Sequence, residues 1–122
     1  MVDRSCPFCE IDDYVLENAR CFAIFDKYPV SPGHMLVIPK EHSPDFIPSP
    51  LEDKEDAMAL VEECTSFLES EYGPDGYNIG VNCGKAAGQS IFHWHIHIIP
   101  RYEGDVDVPN EGIREVIPRR IR

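Results

Sequence analysis

At 122 residues the chain is too short for two hydrophobic cores that would each be secure, so one domain spanning 1–122 is expected. Hydrophobic residues make up 43% and aromatics 10%, which is too apolar for a disordered chain. Lys and Arg number 11 against 22 Asp and Glu, for a net charge of −11. That balance argues against a protein that wraps a nucleic-acid polymer, yet a local site can still take a small phosphorylated ligand.

No apolar run approaches the roughly 20 residues of a membrane span, and the start MVDRSCPFCE has no apolar core of a signal peptide. The five cysteines are odd in number and irregularly spaced, a poor disulfide framework. A cytoplasmic location with no membrane partner is expected. Cys21, Cys64 and Cys83 sit in apolar patterns and read as packing residues. Only Cys6 and Cys9 have the spacing of a metal clip.

In chain order, residues 14–17 and 21–25 are short β-type runs joined by a turn at 18–20, and they predict a hairpin. Ser31-Pro32-Gly33-His34 places Pro and Gly at the central positions of a type II turn. It feeds a strand over 34–38, stopped by Pro39. Residues 41–50 carry three prolines and predict a loop. A helix follows, with Ser49 as N-cap, Pro50 at the first helical position and Glu52 completing a capping box.

Ala57, Leu60, Val61, Cys64, Phe67, Leu68 and Tyr72 recur at three- and four-residue steps, the apolar stripe of that helix. Asp53, Glu55, Asp56, Glu62, Glu63 and Glu69 form the opposite, solvated face, and Gly73-Pro74 ends the helix. Beyond it, residues 77–83 alternate apolar and polar, so Asn78, Gly80 and Asn82 share one face. Residues 84–88 form a small-residue loop, and 93–99 a second strand. The order strand, strand, strand, helix, strand, strand predicts an α+β domain on an antiparallel sheet of about five strands.

Three of the five histidines fall at 93, 95 and 97. In a strand these side chains share one face, with Trp94, Ile96 and Ile98 on the other, facing the helix. Such a cluster suits a metal site completed from a neighbouring strand, or nucleophilic catalysis by the central imidazole. At roughly 3.3 Å per residue the outer two start about 13 Å apart, too far to close together on one ion. A phosphate lying along the strand meets successive imidazoles more easily. Attack by a neutral imidazole on phosphorus would give a phosphohistidine that water resolves.

The segment His93-Trp94-His95-Ile96-His97-Ile98-Ile99 resembles the signature of the histidine triad (HIT) family of nucleotide hydrolases and transferases. Phe25-Asp26, the run from Pro32 to Lys40, and Gly88-Gln89-Ser90 resemble the family's other blocks in the same order. The resemblance implies a HIT-like fold, with the sheets of two copies paired in a homodimer. It implies hydrolysis at an α-phosphorus of a nucleoside phosphoramidate, dinucleoside polyphosphate or adenylated conjugate, releasing a nucleoside monophosphate, with adenine the expected base. No catalytic cofactor is implied. A nucleotidyltransferase with the same nucleophile, or a non-catalytic nucleotide-binding module, are the alternatives.

By the same resemblance His95 is the nucleophile, His97 a donor to a phosphate oxygen, and Ser90 a helper of the leaving group. Asn82, Gly88 and the backbone of Gln89 match the phosphate side, with N–H groups of the Gly-rich turn bonding phosphate oxygens. Asp26 matches the carboxylate that receives the ribose, although a turn residue ending a strand is the blander reading. Phe8, Ile11 and Phe25 are candidates for an apolar slot around the base, or simply core. His34 joins the hydrogen-bond network of the triad. The role for Ser90 requires the strand to begin near Ile91, because strict alternation would turn Ser90 to the Trp94 face.

Some HIT proteins, and the more distant galactose-1-phosphate uridylyltransferases, bind zinc through two cysteines and two histidines. The matching positions are Cys6, Cys9, His42 and His93, a closed and therefore structural Cys₂His₂ set. Asn82 and Gly88-Gln89-Ser90 favour the Hint-like branch, whereas Ile99-Pro100-Arg101 resembles the Fhit-like branch, so the leaving group stays open. From about residue 103 the chain becomes polar and ends in an Arg-rich tail (Arg114, Arg119, Arg120, Arg122), an exposed segment or a phosphate-binding arm.

Overall fold

A computed structural model describes residues 5–106. The arginines of the expected tail lie outside the described residues. The elements are β1 (Leu16–Glu17), β2 (Cys21–Phe25), β3 (Met35–Pro39), α1 (Leu51–Glu71), β4 (Gly76–Val81), a single 3₁₀ turn (Lys85–Ala87) and β5 (Ile96–Arg101). The five strands form one antiparallel sheet, as the sequence predicts, and their spatial order is β1-β2-β3-β5-β4.

The two faces of the sheet follow from the period-2 alternation of its strands. One face carries Cys21, Ala23, Met35, Val37, Ile96 and Ile98, which pack with Trp94 against Ala57, Leu60, Val61, Cys64 and Leu68 of α1. Leu60 and Leu68 are fully buried, and truncating either to Ala removes about 2–5 kcal/mol of stability. The other face carries Phe22, Leu36 and Ile38, covered by Cys6 and Phe8 of the N-terminal segment. Across it, Ile24 pairs with Leu36, Leu36 with His97, and His97 with Gly80.

The helix begins one residue later than expected. Pro50 is the N-cap, without a side-chain cap bond, and its carbonyl accepts from the N–H groups of Asp53 and Lys54. Ser49 does not cap, because its hydroxyl donates to the Phe46 carbonyl at 2.6 Å, so the Ser49–Glu52 capping box is not formed. Asp53 is likewise not on the solvated face. It is buried and accepts from Arg20 Nη1 at 3.1 Å, while Asp56 accepts from the Arg20 N–H. Two acidic side chains thus lash α1 to the β1–β2 hairpin.

The turn before β3 has the expected form. The His34 N–H donates to the Ser31 carbonyl at 3.2 Å, and Gly33 has φ +88°, the value a type II turn needs at its third position. A Cβ at Gly33 would also meet Leu68 Cδ2 at 3.1 Å and Pro100 Cγ and Tyr72 Cδ1 at 3.3 Å. Several strand boundaries differ from expectation. Pro39 belongs to β3, opposite Cys21, and Pro100 and Arg101 belong to β5, opposite Tyr77 and Gly76. At the other end β4 stops at Val81, before Asn82, and β5 begins only at Ile96.

Candidate functional site

Of the triad only His97 lies in a regular strand; His93 and His95 precede it. The reason is an anchor to another loop, since the Trp94 N–H donates to the Ser43 carbonyl at 2.9 Å instead of joining the ladder. All three imidazoles are nevertheless buried. The His95 and His97 ring centroids lie 5.1 Å apart, and Phe8 meets the His95 ring edge-on at 5.0 Å.

Fixed backbone partners dictate the tautomers. A carbonyl can only accept, so the 2.7 Å contact of His93 Nε2 with the Pro39 carbonyl places a proton on that nitrogen. The lone pair of neutral His93 is then on Nδ1, which stands 3.3 Å from Cys6 Sγ and 3.5 Å from Cys9 Sγ. His42 Nδ1 is 3.3 Å from Cys9 Sγ. Ligand atoms of Cys6, Cys9, His42 and His93 all lie within 4.8 Å of one another.

These four side chains fit a zinc ion. Bonds near 2.3 Å to sulfur and 2.0–2.1 Å to nitrogen at tetrahedral angles put ligand atoms roughly 3.3–3.8 Å apart, the range of the three contacts above. Burial pushes the Cys6 thiol above its ordinary pKa. Burial, with His42 and His95 nearby, pulls His93 down, which keeps its imidazole neutral as a ligand must be.

His95 is held the other way round. Its Nδ1 lies 3.1 Å from the His93 carbonyl, so the proton sits on Nδ1 and the lone pair on Nε2. Neither of the two clusters of ligand atoms among the described residues joins His93 to His95. A third arrangement follows on the β3 side. The Val30 N–H donates to His34 Nδ1 at 3.1 Å, which leaves the proton of neutral His34 on Nε2. That nitrogen is 3.0 Å from His97 Nδ1 and 3.4 Å from Asp26 Oδ2. His97 Nδ1 accepts, so neutral His97 carries its proton on Nε2. Asp26 Oδ1 in turn accepts from the Tyr28 N–H at 2.9 Å.

A family model described as HIT domain matches residues 10–104. The chain belongs to the HIT family. The Arabidopsis thaliana protein named Adenylylsulfatase HINT3 is 37% identical over 119 residues, spanning 93% of this chain and 60% of that protein. The Mycobacterium tuberculosis protein named AP-4-A phosphorylase is 34% identical over 127 residues, spanning 95% and 64%. The chain thus matches somewhat under two thirds of either relative. Among solved structures, a Zn-bound histidine triad family protein from Mycobacterium smegmatis superposes with a TM-score of 0.78 at 33% identity, covering 96% of this chain and 83% of that one. A HIT family protein from Bacillus anthracis gives 0.76 at 32%, covering 90% and 87%.

The expected phosphate-side residues Gly88, Gln89 and Ser90 lie in the loop between the 3₁₀ turn and β5. Ser90 precedes β5 in a loop, and its Oγ is buried with no hydrogen-bond partner among the described residues. An unanswered buried hydroxyl costs stability unless something else bonds it. The N–H groups of Gly88 and Gln89, expected to face a phosphate, are already used. Gly88 donates to the Lys85 carbonyl at 3.0 Å and Gln89 to the Gly84 carbonyl at 3.1 Å. Gly88, in the left-handed conformation at φ +98°, caps the 3₁₀ turn, and the turn consumes both donors internally. The Gln89 side chain is structural as well, bonding Gly84, Pro44 and Ile91 backbone atoms. Asn82 stands beside this loop, with its Nδ2 3.7 Å from where a Gly88 Cβ would be.

Phe25 is on the wrong face for a base slot. Its ring lies 6.1 Å from Phe67 and 6.2 Å from Tyr72 of the helix side. Ile24, which sequence reasoning passed over, shares the histidine face with Phe22, and it packs, as Ile11 does, against the cluster of Phe8, Phe22 and Leu36. The period of 2 would have found it: Ile24 and Asp26 alternate with Phe25. Among the described residues no helix is long and apolar enough to cross a membrane.

Proposed function

We propose that this HIT protein is a nucleotide phosphohydrolase acting at an α-phosphorus through a nucleotidyl-histidine intermediate. The observation that carries the reading is the opposite tautomers of two neighbouring rings. His95 offers a lone pair on Nε2, and His97 offers a proton on Nε2. A nucleophile beside an anion-stabilising donor is what in-line displacement at phosphorus needs.

In the first step His95 Nε2 attacks phosphorus and the bond to the leaving group breaks. Ser90 Oγ, a buried hydroxyl without a hydrogen-bond partner among the described residues, bonds the departing atom, and the His97 proton bonds a non-bridging oxygen as charge builds there. In the second step water attacks phosphorus, the P–N bond breaks, and a nucleoside monophosphate leaves. A carboxylate accepts at about four lone-pair sites, and Asp26 receives the ribose hydroxyls. Phe8, Ile11 and Ile24 line the apolar side for an adenine-type base, and Asn82 faces the phosphates.

We read Cys6, Cys9, His42 and His93 as a structural zinc set, whose ion would bind the N-terminal segment to the strand that bears the triad. The Zn-bound relative supports that reading. The relatives named adenylylsulfatase and AP-4-A phosphorylase support adenylated substrates, and the second name favours one further reading, transfer of the nucleotidyl group to phosphate by the same His95. We also read residues 1–122 as one HIT domain with a polar tail, paired as a homodimer in the cytoplasm. The test is a quench experiment with labelled adenosine phosphoramidate, diadenosine tetraphosphate and adenylyl sulfate. An acid-labile adenylyl adduct mapped to His95 is expected. Turnover with inversion at phosphorus and no adduct would overturn the proposal.

A further inference from the structure

Two prolines, Pro29 and Pro32, bracket a loop whose backbone reaches the buried histidines. The Val30 N–H meets His34 Nδ1 at 3.1 Å, and His34 Nε2 meets His97 Nδ1 at 3.0 Å. We infer that the main-chain N–H of Val30 is a positioning group of the reaction: acting through His34, it fixes His97 as the Nε2–H tautomer. The inference rests on the functional reading above, because it assigns a cause to the donor on which that reading depends.

Electrostatics alone would not give this result. His34 Nε2 also lies 3.4 Å from the buried carboxylate of Asp26, a neighbour that favours a doubly protonated imidazolium. An imidazolium would carry a proton on Nδ1, aimed at the Val30 N–H, and two hydrogens would face each other across 3.1 Å. The backbone donor therefore holds His34 neutral and singly protonated. The same lock argues against a metal ion among Asp26, His34 and His97, although their ligand atoms lie within 4.8 Å of one another. The His34 nitrogen that would have to offer a lone pair there bears the proton.

The loop is also tied to the strand it serves. Ser31 Oγ donates to the Pro100 carbonyl at 2.6 Å, and Tyr102 Oη donates to the Pro32 carbonyl at 2.7 Å. Pro100 lies in β5, the strand that bears His97, and Tyr102 follows it directly, so donor, relay and recipient are held in one frame. Val30 itself contributes only backbone to this chain; its side chain is part-exposed. No side-chain motif would reveal it.

The experiment is ¹⁵N NMR of histidine-labelled protein, which reports directly which ring nitrogen is protonated. In the wild type, His34 and His97 are each expected with Nδ1 bare and Nε2 protonated. Val30→Pro deletes the N–H and is expected to leave His97 as a tautomer mixture or with Nδ1 protonated, and to lower kcat at least tenfold with little change in KM. Val30→Ala, which keeps the N–H, should keep the wild-type nitrogen spectrum. Should Val30→Pro fail to fold, His34→Leu and His34→Gln replace it. The first should scramble His97, and the second, with an amide donor toward His97, should restore Nε2–H. A wild type with His97 protonated at Nδ1, or a folded Val30→Pro with unchanged spectrum and kcat, overturns the inference. The spectrum needs no turnover, so expected tautomers in a protein that forms no adenylyl adduct would sink the hydrolase reading alone.

Discussion

The Nε2–H of His93 donates to the carbonyl of Pro39 across 2.7 Å, and this bond decides which ring nitrogen meets the thiols of Cys6 and Cys9. A ligand histidine oriented by a carbonyl is a common way to fix ring direction at a metal. About one zinc per chain is expected by elemental analysis, falling to well under half in Cys6→Ser or Cys9→Ser. If free zinc stands 100-fold above its Kd, binding adds about 2.7 kcal/mol, so chelation should lower Tm by roughly 10 °C or more. Metal-free protein of unchanged Tm would count against the site.

Removal of the His95 ring should abolish the first displacement while leaving the rest of the nucleotide contacts in place. His95→Gly is expected to lose about three orders of magnitude or more in kcat, with AMP binding kept within a few-fold. His97→Ala removes one donor to a developing anion, a loss of about 10²–10³ in kcat. Single-turnover kinetics beside calorimetric AMP titration separates the two effects. Full residual turnover in His95→Gly would refute the nucleophile assignment.

The parts legible in the sequence are those set by short-range periodicity. The helix stripe at Ala57, Leu60, Val61, Cys64 and Leu68 and the partition of Trp94, Ile96 and Ile98 from the histidines both follow from side-chain spacing. The parts that were not legible depend on hydrogen-bond partners that apolar periodicity does not encode. Trp94 bonds Ser43 and thereby delays β5. Gly88 and Gln89 turn their N–H groups inward because Gly84 and Lys85 accept them. The half-exposed Arg20 pairs with buried Asp53 from 33 residues away. The backbone pairings leave no mark in the sequence, since carbonyl and N–H groups are the same in every residue, and the ion pair joins residues on separate elements.

The exchange of Phe25 for Ile24 at the apolar side of the site is separable by mutation. Phe25→Ala should lower stability by about 1–2 kcal/mol, less than a fully buried Phe because the ring is 38% exposed, and leave KM for nucleotide unchanged. Ile24→Ala should raise KM several-fold by removing apolar contact with the base. Urea midpoints beside KM values would show it. A raised KM in Phe25→Ala with no stability loss would return Phe25 to the site.

Alkaline pH should expose the two helix-side thiols of the core. Burial pushes Cys21 and Cys64 from 9.0 up to about 12, with Asp53 and Asp56 adding to the effect at Cys21. Below pH 9 both folded and unfolded thiols are neutral, so the stabilisation is fully present. Between 9 and 12 the unfolded chain releases protons that the folded chain retains, and stability falls as pH rises. At pH 10.5 the loss is on the order of 2 kcal/mol per thiol as a ceiling. Urea unfolding at pH 7, 9 and 10.5 should show a flat first interval and a drop in the second, reduced in Cys21→Ala and in Cys64→Ala. Rapid alkylation of Cys21 or Cys64 in native protein at pH 8 would contradict the burial on which the prediction depends.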